Sequence, residues 1–146
     1  MDHIAIMRKD WKLIPKILSG EKTIESRWYK YRVAPWNRVN PGDIIYFKDT
    51  GAPVTAKAEV TKVLQFETLD YEKVKHIVET YSERIALPNS DLLKWSTHKN
   101  YCILLFLQNS QLITPFNINK NGFGNAAAWL VVKDIHKVKL ENMPEI

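Results

Sequence analysis

Seven consecutive apolar residues, Tyr101-Cys102-Ile103-Leu104-Leu105-Phe106-Leu107, constrain the fold more than any other stretch. The run is far too short to cross a bilayer and suits a central strand. A second stretch alternates. Val54, Ala56, Ala58, Val60 and Leu64 share one face, and Thr55, Lys57, Glu59 and Thr61 share the other, with Lys62 interrupting the apolar face near its end. A period of two marks a half-buried strand. Residues 2–7 and 44–48 read as further strands, residues 22–27 as extended, and residues 126–132 and 135–140 as the last strands. Residues 28–40 form a long loop.

Helical periodicity occurs twice. Trp11, Ile14, Ile17 and Leu18 fall on one face with Lys12 and Lys16 opposite, in a helix that Pro15 shortens and Ser19-Gly20 stops. Tyr71, Val74, Ile77, Val78 and Tyr81 predict a helix over 70–82, capped by Asp70. Pro88-Asn89-Ser90 leads into a short helix at 90–96. The expected class is α+β: about six mostly antiparallel strands in a curved sheet, flanked by two or three short helices that do not alternate regularly with strands. With 146 residues, 45% of them apolar, and no repeat or linker, residues 1–146 read as one domain.

Several function classes drop out. A single cysteine, Cys102, allows no intrachain disulfide and fits a reducing, cytoplasmic setting. No membrane segment is expected. His3, His76, His98 and His136 are scattered without metal-ligand spacing, so no metal site is expected, and nothing calls for a cofactor. The net charge of +5 permits an anionic partner.

Chemistry concentrates in Gly20-Glu21-Lys22-Thr23-Ile24-Glu25-Ser26-Arg27. On an extended segment Glu25 and Arg27 share a face, and Lys22 joins them only if the turn after Gly20 re-aims it. Arg offers a planar fork for phosphate or a base edge. A desolvated Lys beside another cation can act as base or nucleophile, and Glu can orient either. The alternative is a solvated surface ion pair. The stretch from Arg27 to Arg38 carries four basic residues and four aromatics with no acid. Trp28 or Trp36 stacking a base, with Arg27, Lys30 and Arg32 on phosphate, suits single-stranded RNA or one flipped nucleotide. Packing of the two indoles onto the domain is the competing reading. Asn121, Gly122 and Gly124, in a loop that lacks the ending of a phosphate-binding loop, offer an opposite wall or merely a hairpin tip.

Gly20, Lys22, Glu25 and Arg27 fill all four fixed positions of G-x-K-x-x-E-x-R, and the segment resembles the signature of the ASCH family. The preceding Ile17-Leu18-Ser19-Gly20, Gly42-Asp43 before the next strand, and residues 122–129 near the C-terminus fit that resemblance. It implies a PUA-like β-barrel associated with RNA, with the motif lining a cleft. Some ASCH proteins are amidohydrolases on N4-acetylcytidine that use a Lys, a Thr and a Glu. Lys22 matches the Lys, Glu83 is a counterpart of the Glu, and Glu25 stands where those enzymes have Thr. Other members are ribonucleases or nucleic-acid-binding modules. The expectation is therefore a protein binding RNA or a nucleotide-like ligand in a basic, aromatic cleft. The alternatives are a hydrolase using Lys22 with Glu25 or Glu83 in that cleft, and a protein-interaction module.

Overall fold

A computed structural model describes residues 1–124 and 127–140. Along the chain run β1 (Asp2–Met7), a 3-10 turn (Lys9–Trp11), α1 (Leu13–Ser19), β2 (Ile24–Tyr29), β3 (Ile44–Asp49) and β4 (Val54–Phe66). Then come α2 (Tyr71–Ile85), α3 (Asn89–Trp95), β5 (Tyr101–Phe116), β6 (Trp129–Val132) and a second 3-10 turn (Ile135–Lys137). The strands form one six-stranded sheet in the order β2-β5-β4-β3-β1-β6. Every neighbouring pair is antiparallel except β1 with β3. Parallel neighbours need a crossover, and α1 and β2 lie on the one that joins β1 to β3. Among the described residues the result is the expected α+β class, an open half-barrel with three helices.

The apolar run occupies β5, between β2 and β4, where both faces are covered. Ile103 and Leu105 pack on one face with α1, Phe47 and Trp129. Cys102, Leu104 and Phe106 pack on the other against Ile77, Val78 and Ile85 of α2. Each such buried aliphatic contributes about 2 kcal/mol, so this face holds α2 in place. Asp70 accepts a hydrogen bond from Lys73 N at 2.8 Å and caps the helix as expected. Tyr71, placed on the apolar face by periodicity, is instead 71% exposed, at the first position of α2.

Two further expectations change. Leu64 does not share a face with Val60. The β4–β5 register shifts between Val60 and Lys62. The bulge passes the inward position to Val63 and sends Leu64 and Phe66 to the α2 side. Residues 135–140 are not a strand. Asp134 accepts from His136 N at 2.9 Å and curls the chain into the second 3-10 turn. Only an isolated bridge, Ile118 to Lys139, remains of strand pairing there.

The turn into β2 positions the motif. Pro15 is the third residue of α1, within the first turn, where a missing N–H costs nothing. Gly20 ends α1 in the left-handed region, at φ 83. Lys22 N then donates to Lys16 O at 2.9 Å, and Thr23 N to Arg84 O at 2.8 Å. These bonds dock the segment onto the ends of two helices before β2 begins. Among the described residues, no helix is long and apolar enough to cross a membrane.

Candidate functional site

The bonds that dock residues 22 and 23 also redirect Lys22. Its Nζ turns toward the C-terminal end of α2, where backbone carbonyls lack helical partners and carry the negative end of the helix dipole. It donates to Ile85 O at 2.9 Å and to Ile24 O at 2.6 Å. The third contact is Glu25 Oε1 at 3.1 Å. Lys16 Nζ serves the next carbonyl, Ala86 O, at 3.2 Å. Lys22 is 1% exposed. Burial lowers its pKa, and Glu25 opposes that fall. Three acceptors and no donor surround the nitrogen. A neutral amine would point its lone pair at another oxygen, so the ammonium form fits this shell.

Glu25 is shared. Its second oxygen, Oε2, accepts from Arg27 Nε at 3.0 Å and from the same guanidinium's Nη2 at 2.9 Å. Burial pushes the carboxyl up, but the Lys22 and Arg27 charges outweigh it and hold the pKa below the ordinary range. Burial likewise works against the Arg27 charge, Glu25 and Tyr29 together more than compensate, and the pKa of the guanidinium is raised. Arg27 then reaches across the seam of the half-barrel, donating to Ala128 O at 3.2 Å and Ile6 O at 3.3 Å. Its guanidinium lies over Trp129, 5.2 Å from the ring centroid. Trp129 Nε1 donates to His3 Nδ1 at 3.1 Å, so the ring proton of His3 sits on Nε2, which donates to Asp43 Oδ2 at 2.8 Å. Burial lowers the pKa of His3, keeping the ring neutral.

A recess of about 120 Å³ opens above Glu25 and Arg27. Ile6, Met7 and Ala128 border it from the β1–β6 side, and Leu13 and Leu87 add aliphatic wall. Its aromatic edge is Trp11, from the first 3-10 turn, and Trp95, the last residue of α3. Their rings meet edge-on at 5.5 Å. The Arg8 guanidinium sits over both, 4.5 Å from the Trp11 ring and 5.5 Å from the Trp95 ring. Lys22, Glu25 and Arg27 sum to one positive charge beneath the recess, and the Arg8 guanidinium, paired with Asp10 at 3.3 Å, lies at its mouth. This environment favours an electron-rich or anionic ligand with a flat apolar part.

Not every residue expected in the cleft is found there. Glu25, Arg27 and Trp28 border the recess. Lys22 lies behind it, in contact with Glu25. The Trp28 indole is 3% exposed, packs with the α2 cluster, and donates Nε1 to Ser26 Oγ at 3.1 Å. Lys30, Arg32 and Trp36 lie away from the recess. Trp36 packs edge-on to Tyr101 at 5.0 Å. Arg32 pairs with Glu67 at 2.7 Å and sits over the Trp36 and Tyr101 rings. Lys30 is exposed beside Tyr31. Glu83 is exposed on α2 and does not border the recess. Asn121, Gly122 and Gly124 form an exposed turn that contributes no lining, while Asn125 and Ala126 lie outside the described residues. Reasoning from sequence missed Arg8, Trp11 and Trp95. The basic and aromatic stretch Arg8-Lys9-Asp10-Trp11, directly after a strand, was a signal that could have found the first two.

No protein-family model matches the chain, and no curated protein matches it in sequence. Solved structures do match. The ASCH protein of Zymomonas mobilis is 17% identical, with a TM-score of 0.69 over 93% of this chain and 91% of that one. A point mutant of it gives 0.70 at 16% identity, over 93% of both chains. The architecture described above is thus the fold of those ASCH structures.

Proposed function

We propose that this protein binds one unpaired nucleobase, carried on a nucleotide or a single RNA strand, in the recess above Glu25 and Arg27. The observation that carries the reading is the pairing of a buried carboxylate floor with an indole edge. Glu25 Oε1 takes one bond, from Lys22, which leaves it acceptor capacity for a base N–H or amino group. Trp11 and Trp95 border the recess and are the indoles placed to stack a base, with Arg8 lying over both rings and Lys99 over Trp95. The recess has room for roughly ten water-sized groups, which suits a single base. Base faces and amino edges are accessible only in unpaired nucleic acid or free nucleotides, which separates this ligand from duplex.

Lys22 supports binding over hydrolysis. Its ammonium is engaged on three sides and stands behind Glu25, so it offers no free amine to a substrate. A panel of nucleosides and short single-stranded RNAs, titrated by calorimetry, tests the reading. At least one nucleoside with an N–H or amino edge binds. Trp11→Ala and Trp95→Ala each weaken it by about 1–3 kcal/mol, Glu25→Gln weakens it more than Trp36→Ala does, and no turnover accompanies binding. Nucleoside binding that survives both indole substitutions unchanged sinks the proposal.

A further inference from the structure

Beside the recess runs a second, open groove bordered by Arg8, Lys9, Asp10, Lys12 and Thr50. Arg8 lines both. One short segment serves the two because the backbone reverses at Lys12, which adopts the left-handed conformation (φ 53, ψ 42) between the 3-10 turn and α1. Trp11 turns inward to the recess, and Lys9 and Lys12 remain exposed. Three cations face one acid in this groove. That acid, Asp10, already pairs with Arg8 at 3.3 Å, and the surplus is two positive charges. The basic residues of the 30–38 loop, by contrast, are turned away from the recess, with Arg32 committed to Glu67.

We infer that this groove is a phosphate subsite continuous with the base pocket: a nucleotide seated above Glu25 directs its phosphate past Arg8 toward Lys9 and Lys12. The inference rests on the base-pocket reading and extends it from a base to a base with its phosphate. Arg8 suits the junction. A guanidinium lying on two indoles turns its N–H edges outward; Nη2 donates to Asp10 at 3.3 Å, and the other N–H groups are left to meet an anion. Lys9 and Lys12 act beyond it as point charges, which neutralise phosphate without fixed geometry.

The test compares cytidine and guanosine with their 5′-monophosphates, and adds a single-stranded RNA decamer. The proteins are the wild type and a Lys9→Gln/Lys12→Asn variant. Both positions are exposed, and Asn accepts the left-handed backbone at position 12. The expected result is a monophosphate bound about tenfold more tightly than its nucleoside by the wild type at low salt. In the variant the ratio falls to near one while nucleoside affinity stays unchanged. For the decamer, the slope of log K against log salt becomes shallower by about 1.4 on losing two phosphate contacts. A gain seen only with the decamer identifies a strand backbone as the source of phosphate, and a gain with monophosphates identifies free nucleotides. If nucleosides bind but phosphate adds nothing and the slope is unaltered, the subsite is overturned and the base pocket stands. If no nucleoside or monophosphate binds, the base pocket fails, and the subsite as its continuation fails with it.

Discussion

Replacing Lys22 with Met separates a structural cation from a chemical one. Met is close in volume to the Lys stem, so no large cavity forms at a site that is 1% exposed. What disappears is charge and three contacts: 2.6 Å to Ile24 O, 2.9 Å to Ile85 O and 3.1 Å to Glu25 Oε1. Removing one partner of a buried ion pair usually costs about 3–5 kcal/mol. Arg27 still holds Glu25 Oε2 through two bonds, at 2.9 and 3.0 Å, which reduces the loss. The two orphaned carbonyls restore part of it. The sum is about 3 kcal/mol, which for a domain of this size lowers Tm by roughly 10 °C. Urea unfolding followed by circular dichroism measures it, with an unchanged m-value showing that the loss is one of stability alone. In a double-mutant cycle, Lys22→Met and Glu25→Gln couple by about 1 kcal/mol or more, because they remove one shared contact. A Lys22→Met protein as stable as wild type, yet unable to bind or turn over a ligand, would refute this reasoning and make Lys22 part of the chemistry.

Three further outcomes follow from the same contacts. The folded pKa of His3 lies below its ordinary 6.5, so the unfolded chain takes up that proton first. Stability holds above pH 6.5 and declines as the pH drops from there toward the folded pKa, and His3→Gln flattens this decline in pH-dependent melts. Glu25, whose folded pKa lies below 4.5, contributes stability that is present above that pH and lost as the pH falls through the folded value; Glu25→Gln removes this acid limb. Trp129→Phe keeps a ring under Arg27 but loses the bond to His3 Nδ1, which costs about 1 kcal/mol in denaturant titration and leaves ligand affinity within about twofold.

The elements that declared themselves in the sequence are those whose burial follows a simple period. β5 read as a central strand because both faces are covered, which leaves no polar alternation to obscure it. The bulge at Val60–Lys62 was marked by the misplaced Lys62, but parity alone could not say that Leu64 would change sides. The site was legible in part for a similar reason. Glu25 and Arg27 are two residues apart on a strand, so their shared face is a property of the backbone. Lys22 joins them because Thr23 N donates to Arg84 O and the Lys22 Nζ to Ile85 O on α2, about sixty residues away in sequence, and no local pattern encodes those contacts. The aromatic loop misled because composition does not give direction. Trp36 packs against Tyr101 away from the recess and Trp28 borders it while almost wholly buried, whereas Trp95, a plain helix-end residue in sequence, stands exposed at its mouth.

The four fixed letters of the motif perform one mechanical task before they perform any chemical one. Gly20 stops α1 and turns the chain, Lys22 satisfies the open end of α2, and Glu25 holds Lys22 and Arg27 together. Arg27 then spans the seam to Ile6 O and Ala128 O. Each step fixes the next, and together they tie both helices to the half-barrel where its sheet lacks a partner strand. The same chain of charges leaves one uncancelled positive charge and one acceptor oxygen at the bottom of a recess. On the binding reading proposed above, the clamp supplies a polar floor and selectivity falls to the residues around it: Arg8 just before the first 3-10 turn, Trp11 within it, and Trp95 from α3. Substituting the clamp should disturb folding and binding together, and substituting the rim should disturb binding alone. A rim substitution such as Trp95→Ala, at a residue 40% exposed, leaves Tm within about 2 °C of wild type while weakening the bound nucleoside.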